Sequence, residues 1–442
     1  MPRTSTHPQS SEGNTAKKGI QTFRALRYRN FRLLWISLVV SSIGTWLQIV
    51  SQSLLVLQIT HNSPLALGAV SLAQAASFFF FAFIGGSVAD RIDKRRFLLM
   101  TQSFSMLLAF IFGLLTVTGI IQVWMIVLLA FCSGTVLSFD QPTRSSLIPI
   151  LVPREDLMNA LSLQATIFNG AAFIGPTLAG VLLEVFGSVD SRFGMLRGSL
   201  FPYAGNFFLN AVSYLGVLVV LYLLRLPAEA VAQSTEKRGP LLASIKASLG
   251  TVRRDTVLPW ILSGYGAQLF FGPSNTLILP IFGIQILHLG PAQLGLLFSA
   301  AGLGTIIGAL TVASLGDFQH KGTLLLSSLL IWTAALLVFA LSHLFWLSLL
   351  ALLVFGMAQN GVAATTTTLL QIRVPPQMRG RVMSLNTLLV MGVRPLGDFP
   401  ASGLIALVGG PPTVLLCASI VGVYSLYLLV ARPTIRSLEK TL

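Results

Sequence analysis

Charge is what this sequence has least of. Asp, Glu, Lys and Arg together make up 10% of 442 residues, against 54% hydrophobic residues and a mean hydropathy of +0.80. A soluble chain carries about 25% charged residues, so too few polar side chains exist to cover a water-soluble globule. Most of this chain must be solvated by lipid. Cysteine is nearly missing too. Cys132 and Cys417 lie far apart inside apolar runs and neither belongs to a CxxC pair, which excludes a disulfide framework and a zinc signature. No P-loop, HExxH or GxSxG occurs, and the five histidines show no metal-ligand spacing. Without Walker motifs ATP is not the direct energy source, and no catalytic cluster, metal or cofactor is expected. Gly302-Leu-Gly304-Thr-Ile-Ile-Gly308 is spaced GxGxxxG with no strand before it, so it reads as a helix-packing stripe and not a dinucleotide loop.

What is present in excess is long apolar runs. Twelve can be counted, from Leu33–Ile59 to Val414–Val430, including Val123–Phe139 as the fourth and Met378–Val408 as the eleventh. They match the ~20 residues that cross a bilayer as a helix and lack the ten-residue alternation of an outer-membrane barrel. The first run is too long for a cleaved signal and is expected to remain as a span. Of the 29 Lys and Arg, 26 fall in the termini and even-numbered loops, two (Arg192 and Arg197) on the opposite side, and Arg394 inside a span. Such a bias places both termini in the cytoplasm and the protein in the plasma or inner membrane. The net charge of +15 is thus an orientation signal, and nucleic acid is not an expected partner.

The organisation follows. Residues 1–30 form a cytoplasmic N-terminal segment, with Phe23, Leu26, Tyr28 and Phe31 suggesting a short interfacial helix. A six-helix bundle covers 31–225. A polar linker covers 226–256, in which Leu241, Leu242, Ile245, Leu249 and Val252 recur at helical spacing and predict an amphipathic helix on the inner leaflet. A second bundle covers 257–431, and 432–442 is a cytoplasmic tail. The halves repeat at an offset of 222 residues: Pro153…Ser162-Leu163 matches Pro375…Ser384-Leu385, and Gly86, Gly134, Gly170 and Gly175 pair with Gly308, Gly356, Gly392 and Gly397. Two parallel repeats predict a site near the membrane midplane between them.

Between the second and third runs, Asp90–Arg96 packs six charges into seven positions. Asp90 closes a helix, the end where a carboxylate is unfavourable, so it needs a partner. Arg379 and Arg381 at the start of the eleventh span are candidates, and a latch between the halves from Gly86, Asp90, Arg91, Arg95, Arg379 and Arg381 is expected on the cytoplasmic side of the outward-open state. Its repeat, Gly308…Asp317-Phe-Gln-His320-Lys321, has lost most cations, so the latch is asymmetric.

The Gly86–Arg96 loop resembles the G-x-x-x-D-R-x-G-x-R-R signature of the major facilitator superfamily, with Asp93 in place of a Gly. Arg27-Tyr-Arg-Asn-Phe-Arg-Leu-Leu-Trp35, Ile43-Gly-Thr-Trp46-Leu-Gln48, Thr60-His-Asn-Ser-Pro64-Leu-Ala-Leu-Gly68 and Phe139-Asp140-Gln-Pro142-Thr-Arg144 resemble the branch that holds the enterobactin exporter and macrolide efflux proteins. The resemblance implies an all-α membrane fold of twelve transmembrane helices in two pseudo-symmetric six-helix bundles, working as a monomer by alternating access. It implies secondary transport with spans one, four, seven and ten lining a cavity. In span five, Gly175-Pro176-Thr-Leu-Ala-Gly180 resembles the end of the antiporter signature and also suits plain helix packing. This favours proton-coupled efflux of a small amphiphilic or hydrophobic molecule. The alternatives are uptake, flipping of a lipid-like substrate, or a non-transporting receptor.

Charges inside spans cost about 2.5–3.5 kcal/mol each on insertion scales and default to functional candidates. Arg394 and Asp398, four apart on span eleven, read either as a self-contained ion pair or as a proton- or substrate-sensing pair. Asp140 and Arg144 share that spacing nearer the inner surface, where capping of a loop is the expected role and coupling the alternative. Gln48, Gln52, Gln268, Asn275 and Gln359 mark either a polar cavity lining or hydrogen bonds between helices, and the Phe78–Phe81 run is expected to face lipid.

Overall fold

The computed structural model describes residues 21–89, 93–193, 200–224, 250, 252–316 and 320–436. Within them the chain is helical. A 3-10 turn at Gln21–Arg27 leads into six helices: α1 (Arg29–Ile59), α2 (Pro64–Ala89), α3 (Lys94–Val117), α4 (Val123–Leu151), α5 (Leu157–Phe193) and α6 (Phe201–Leu223). The second half holds α7 (Leu258–Phe271), α8 (Asn275–Gln285), α9 (Pro291–Ser314), α10 (Lys321–Leu341), α11 (Phe345–Arg373), α12 (Pro376–Leu388), α13 (Arg394–Val408) and α14 (Gly410–Ala431). The linker helix expected around 241–249 lies outside the described residues.

Eleven helical stretches among the described residues are long and apolar enough to cross a membrane. Two crossings are not the plain rods expected. The seventh is broken at Gly272-Pro273-Ser274 into α7 and α8, because Pro273 has no N–H to continue the ladder and disfavours helix at the residue before it. The eleventh is split by a π-helical stretch at Leu389–Val393 between α12 and α13. Polar α12 keeps it out of the apolar count. The fourth runs past its expected end at Phe139 to Leu151, through Pro142 and Pro149. Each proline removes one ladder bond without ending the helix.

The face gathering the N-terminal turn, the α2–α3 and α4–α5 connections and the start of α7 is the basic face; the opposite one is the far face. Within the first half α2 packs on α4, α3 on α6, and α1 on both α5 and α6; in the second, α9 packs on α11, and α10 on α11 and α14. Between halves the seams are α5 on α9, α2 on α13, and α1 on α8. The 222-residue repeat recurs in the packing. Gly175 abuts Trp46 of the first span and its counterpart Gly397 abuts Phe270 of the seventh; Gly134 abuts Gln74 and Ser77 of α2, and Gly356 abuts Ala301 and Thr305 of α9.

The α5–α9 seam is built around Pro176. Proline leaves the Ala172 carbonyl without its helical donor, and that oxygen faces Gly302, while the Pro176 carbonyl faces Gly295 and Gly180 faces Pro291. No side chain fits at these crossings, which lets the backbones approach closely. Thr177 adds its backbone N–H and its hydroxyl to Ser299 Oγ, at 3.2 and 2.7 Å.

These seams seal the far face. Leu277 and Ile281 of α8 and Ala401 and Ile405 of α13 lie in one buried cluster with Leu55, Val56, Leu57, Ala66 and Leu67 of α1 and α2, and Gln285 donates to the Asn62 carbonyl at 3.2 Å. At the basic face the buried cluster around Phe31, Leu98, Leu147 and Leu163 is made by the first half alone. Gly170, below the crossing, meets nothing within 4 Å. Among the described residues the halves are joined at the far face and parted at the basic face.

Candidate functional site

The break in the seventh span and the start of α13 form one polar unit in the second half. Asp398, 2% exposed, accepts a hydrogen bond from the Ser274 backbone N–H at 2.7 Å. Ser274 is the extended residue that opens α8, and its own side chain caps nothing on that helix; its hydroxyl pairs with Thr276 Oγ1 at 2.9 Å. The carboxylate therefore sits at the positive end of a half-helix, where negative charge is favoured. Arg394 and Asp398 form no direct ion pair. Arg394 turns instead to α11: with its amide oriented to suit, Gln359 accepts from both Nη atoms, Nη1 at 3.1 Å. The Nε of Arg394 is buried with no partner among the protein's groups. The self-contained pair is thus replaced by two neutral partners that the spacing did not indicate, because a break in α7 and a π turn before Arg394 re-aim both side chains.

Asp140 and Arg144 do pair directly, Nη2 to Oδ2 at 2.5 Å. Asp140 is 5% exposed and also accepts from Thr101 Oγ1 at 3.0 Å and Gln102 Nε2 at 2.6 Å. Capping of a loop is therefore ruled out: α4 continues past Pro142, and the Asp140 carboxylate is buried between α3 and α4.

The remaining polar residues divide. Gln48 accepts from Asn210 Nδ2 at 2.6 Å, and Asn206 bridges Ser51 Oγ and the Ala179 carbonyl, so this stripe stitches α1 to α6 and α5. Gln268 is 1% exposed, with neither amide atom partnered within the protein. Gln52, Asn275, Gln359 and Arg394 are half-buried. Phe79 and Phe80 are exposed, whereas Phe81 packs against Phe131 and Phe139.

At the basic face Asp90 and Arg91 lie outside the described residues, as do the surroundings of Gly86 and the side chain of Arg381. Arg95 donates to the carbonyls of Leu221, at 2.7 Å, and Tyr222, and Arg379 to the Val374 carbonyl at 3.2 Å. Each cation is held within its own half. Asp93, the residue that departs from the signature, caps α3 by accepting from Arg95 N at 2.9 Å.

Two clamps at this face escaped the sequence reading. Asp156, 2% exposed, binds Arg24 Nε at 2.9 Å, Arg27 Nη2 at 2.8 Å and the Tyr28 hydroxyl at 2.7 Å. In the second half Asp255 accepts from the N–H groups of Val257 and Leu258 at 2.7 and 2.9 Å and pairs with Arg373 at 3.2 Å. Burial pushes the Asp255 carboxyl up, but the two backbone donors and Arg373 outweigh it and hold the group below its ordinary value. Both clamps tie the entry of a half to the end of its fourth span, with the charges exchanged.

The profile of the transmembrane secretion effector family matches residues 20–441. The chain belongs to this family of major facilitator superfamily transporters. It is similar to the enterobactin exporter EntS of Citrobacter koseri, 26% identical over 395 residues that cover 89% of this chain and 88% of that one. The EntS of Salmonella paratyphi A is 25% identical over 89% of this chain and 88% of its own length. Among solved structures, a bacterial homologue of the lysosomal transporter Spinster in an inward-facing, unoccupied conformation superposes with a TM-score of 0.69 at 13% identity, covering 93% of this chain and 98% of that one. The nucleoside transporter NupG gives 0.68 at 14% identity, over 94% and 100%. The protein is a multi-span membrane transporter of small molecules, not an enzyme.

Proposed function

We propose that the transporter exports a small amphiphilic molecule from the cytoplasm, driven by the inward flow of protons. The likeness to enterobactin exporters along nearly the whole chain carries this reading. The 26-to-2 charge bias sets the basic face in the cytoplasm, so the described conformation is inward-facing and accepts substrate from inside. Arg394 and Gln359, with Gln52 and Asn275, supply polar anchors in a surround that is otherwise apolar. In the opposite state the basic face closes, Arg95 and Arg379 leave their intra-half carbonyls, and Asp90 pairs with Arg379 or Arg381 in a latch between the halves that also takes in Arg91 and Arg95.

The test is accumulation of candidate substrates, siderophores and hydrophobic drugs among them, by everted membrane vesicles. Energised vesicles holding the protein should accumulate substrate, and a protonophore should abolish it. Accumulation only by right-side-out vesicles would mean uptake. Accumulation indifferent to the protonophore would remove the proton.

A further inference from the structure

We infer that Asp398 is the proton-binding site of the cycle, and that its charge locks the far face by capping α8. This rests on the proton-coupled reading above and assigns it to a residue. Four observations converge. The carboxylate is 2% exposed and is held by Ser274, whose backbone N–H donates to it at 2.7 Å. That donor opens α8, the piece of the seventh span carrying Leu277 and Ile281 into the cluster shared with α1 and α2. The neighbouring Gly397 is pressed against the Phe270 carbonyl at the end of α7, so α13 grips the chain on both sides of the break. Finally, Arg394 is engaged by Gln359, which leaves Asp398 without a direct counter-ion.

The charged and titratable surroundings are few. Arg394 lies on the same helix, Tyr265 comes from α7, and α8 offers only the hydroxyls of Ser274 and Thr276. The described part of α2 brings no ionisable side chain, and α14 brings Cys417, Tyr424 and Tyr427 but no charge.

An ionised Asp398 holds α8 by charge as well as by a hydrogen bond. A proton on Oδ2 leaves Oδ1 able to accept from Ser274 but removes the charge that faced the half-helix. The empty, deprotonated carrier is then the one that stays sealed at the far face, which is what tight exchange requires: only a protonated or substrate-loaded carrier changes face.

The test uses the full chain in nanodiscs, with Cys132 and Cys417 replaced and spin labels at Ile120 and His343, which stand on far-face loops of the two halves. Lowering pH should raise the far-face-open fraction of the parent. Asp398→Asn should be more open by about tenfold, the scale of a charge at a helix end, and indifferent to pH. Ser274→Pro removes the backbone donor, together with the hydroxyl that pairs with Thr276, at a φ of −68° that proline adopts, and leaves the Asp398 carboxyl in place; it should also be more open, yet still move protons with substrate in proteoliposomes. Asp398→Asn should lose that proton movement. An Asp398→Asn protein with the parent's pH response, or with undiminished proton movement, overturns the assignment alone. A parent that moves no protons overturns the coupled reading and this inference together.

Discussion

Adding a single methyl group at the α5–α9 crossing should drive the transporter towards its other face. Gly295 meets the Pro176 carbonyl and Gly302 meets the Ala172 carbonyl. Both obstacles are backbone atoms of a helix that packs on α1 and cannot swing aside as a side chain would. Overpacking of this kind costs about 1–3 kcal/mol. The gain in helix propensity from Gly to Ala, about 1 kcal/mol, does not offset it, since α9 is helical in both conformations. Each substitution therefore shifts the ratio of far-face-closed to far-face-open protein by about 5–150-fold. The two sites are seven residues apart, ~10 Å along the helix, so the double variant should be close to the sum. The readout is electron–electron distance between labels at Ile120 and His343 on the far face, and at Arg154 and His320 on the basic face. Gly295→Ala and Gly302→Ala should lengthen the first distance and shorten the second. Gly170→Ala is the control, because a Cβ there meets nothing within 4 Å. If all three variants keep the parent's distances, the seam is not what holds the far face shut.

Other consequences follow from single contacts. Asp156→Ala removes two arginine pairs and a tyrosine hydrogen bond from a buried carboxylate, while the arginines it leaves can reach water. Thermal unfolding in detergent should show a loss of about 1.5–3 kcal/mol, the range for bonds to charged groups. The Asp255 carboxyl is held below its ordinary value, so its contribution is complete above the normal carboxylate range and lost as pH falls through the depressed value. Asp255→Asn should flatten the acid limb of stability against pH, with the neutral limb lowered. Replacing Arg394 with Gln should raise the substrate concentration for half-maximal transport more than it lowers thermal stability. Equal losses in both would make Arg394 structural. Asp140→Asn leaves the half-buried Arg144 beside a neutral group, a cost of about 1.5–3 kcal/mol for bonds to charged groups, and should reduce the amount of folded protein in the membrane.

Spans and internal duplication were legible because they rest on composition and on period. Lipid solvation needs runs of about 20 apolar residues, and Gly175 and Gly397 mark equivalent crossings in both halves. The site was only half legible. The pattern singled out Arg394 and Asp398 by their cost in a membrane, yet spacing along an ideal helix did not show that each hydrogen-bonds elsewhere, to Gln359 and to Ser274. Pro273 could have signalled the break in the seventh span. Nothing local marks the π turn at Leu389–Val393, which depends on packing against α2 and α7. Asp156 and Asp255 were missed for a similar reason, since each lies in a polar connection where a carboxylate looks ordinary until the fold brings Arg24, Arg27 or Arg373 to it.

Proton-driven export is tested most directly by following protons and substrate together. In proteoliposomes with the basic face outward and an acidic lumen, adding a transported molecule outside should alkalinise the lumen as the molecule enters, in a fixed ratio. Entry with no change in lumenal pH, or with acidification, would contradict exchange of substrate for protons.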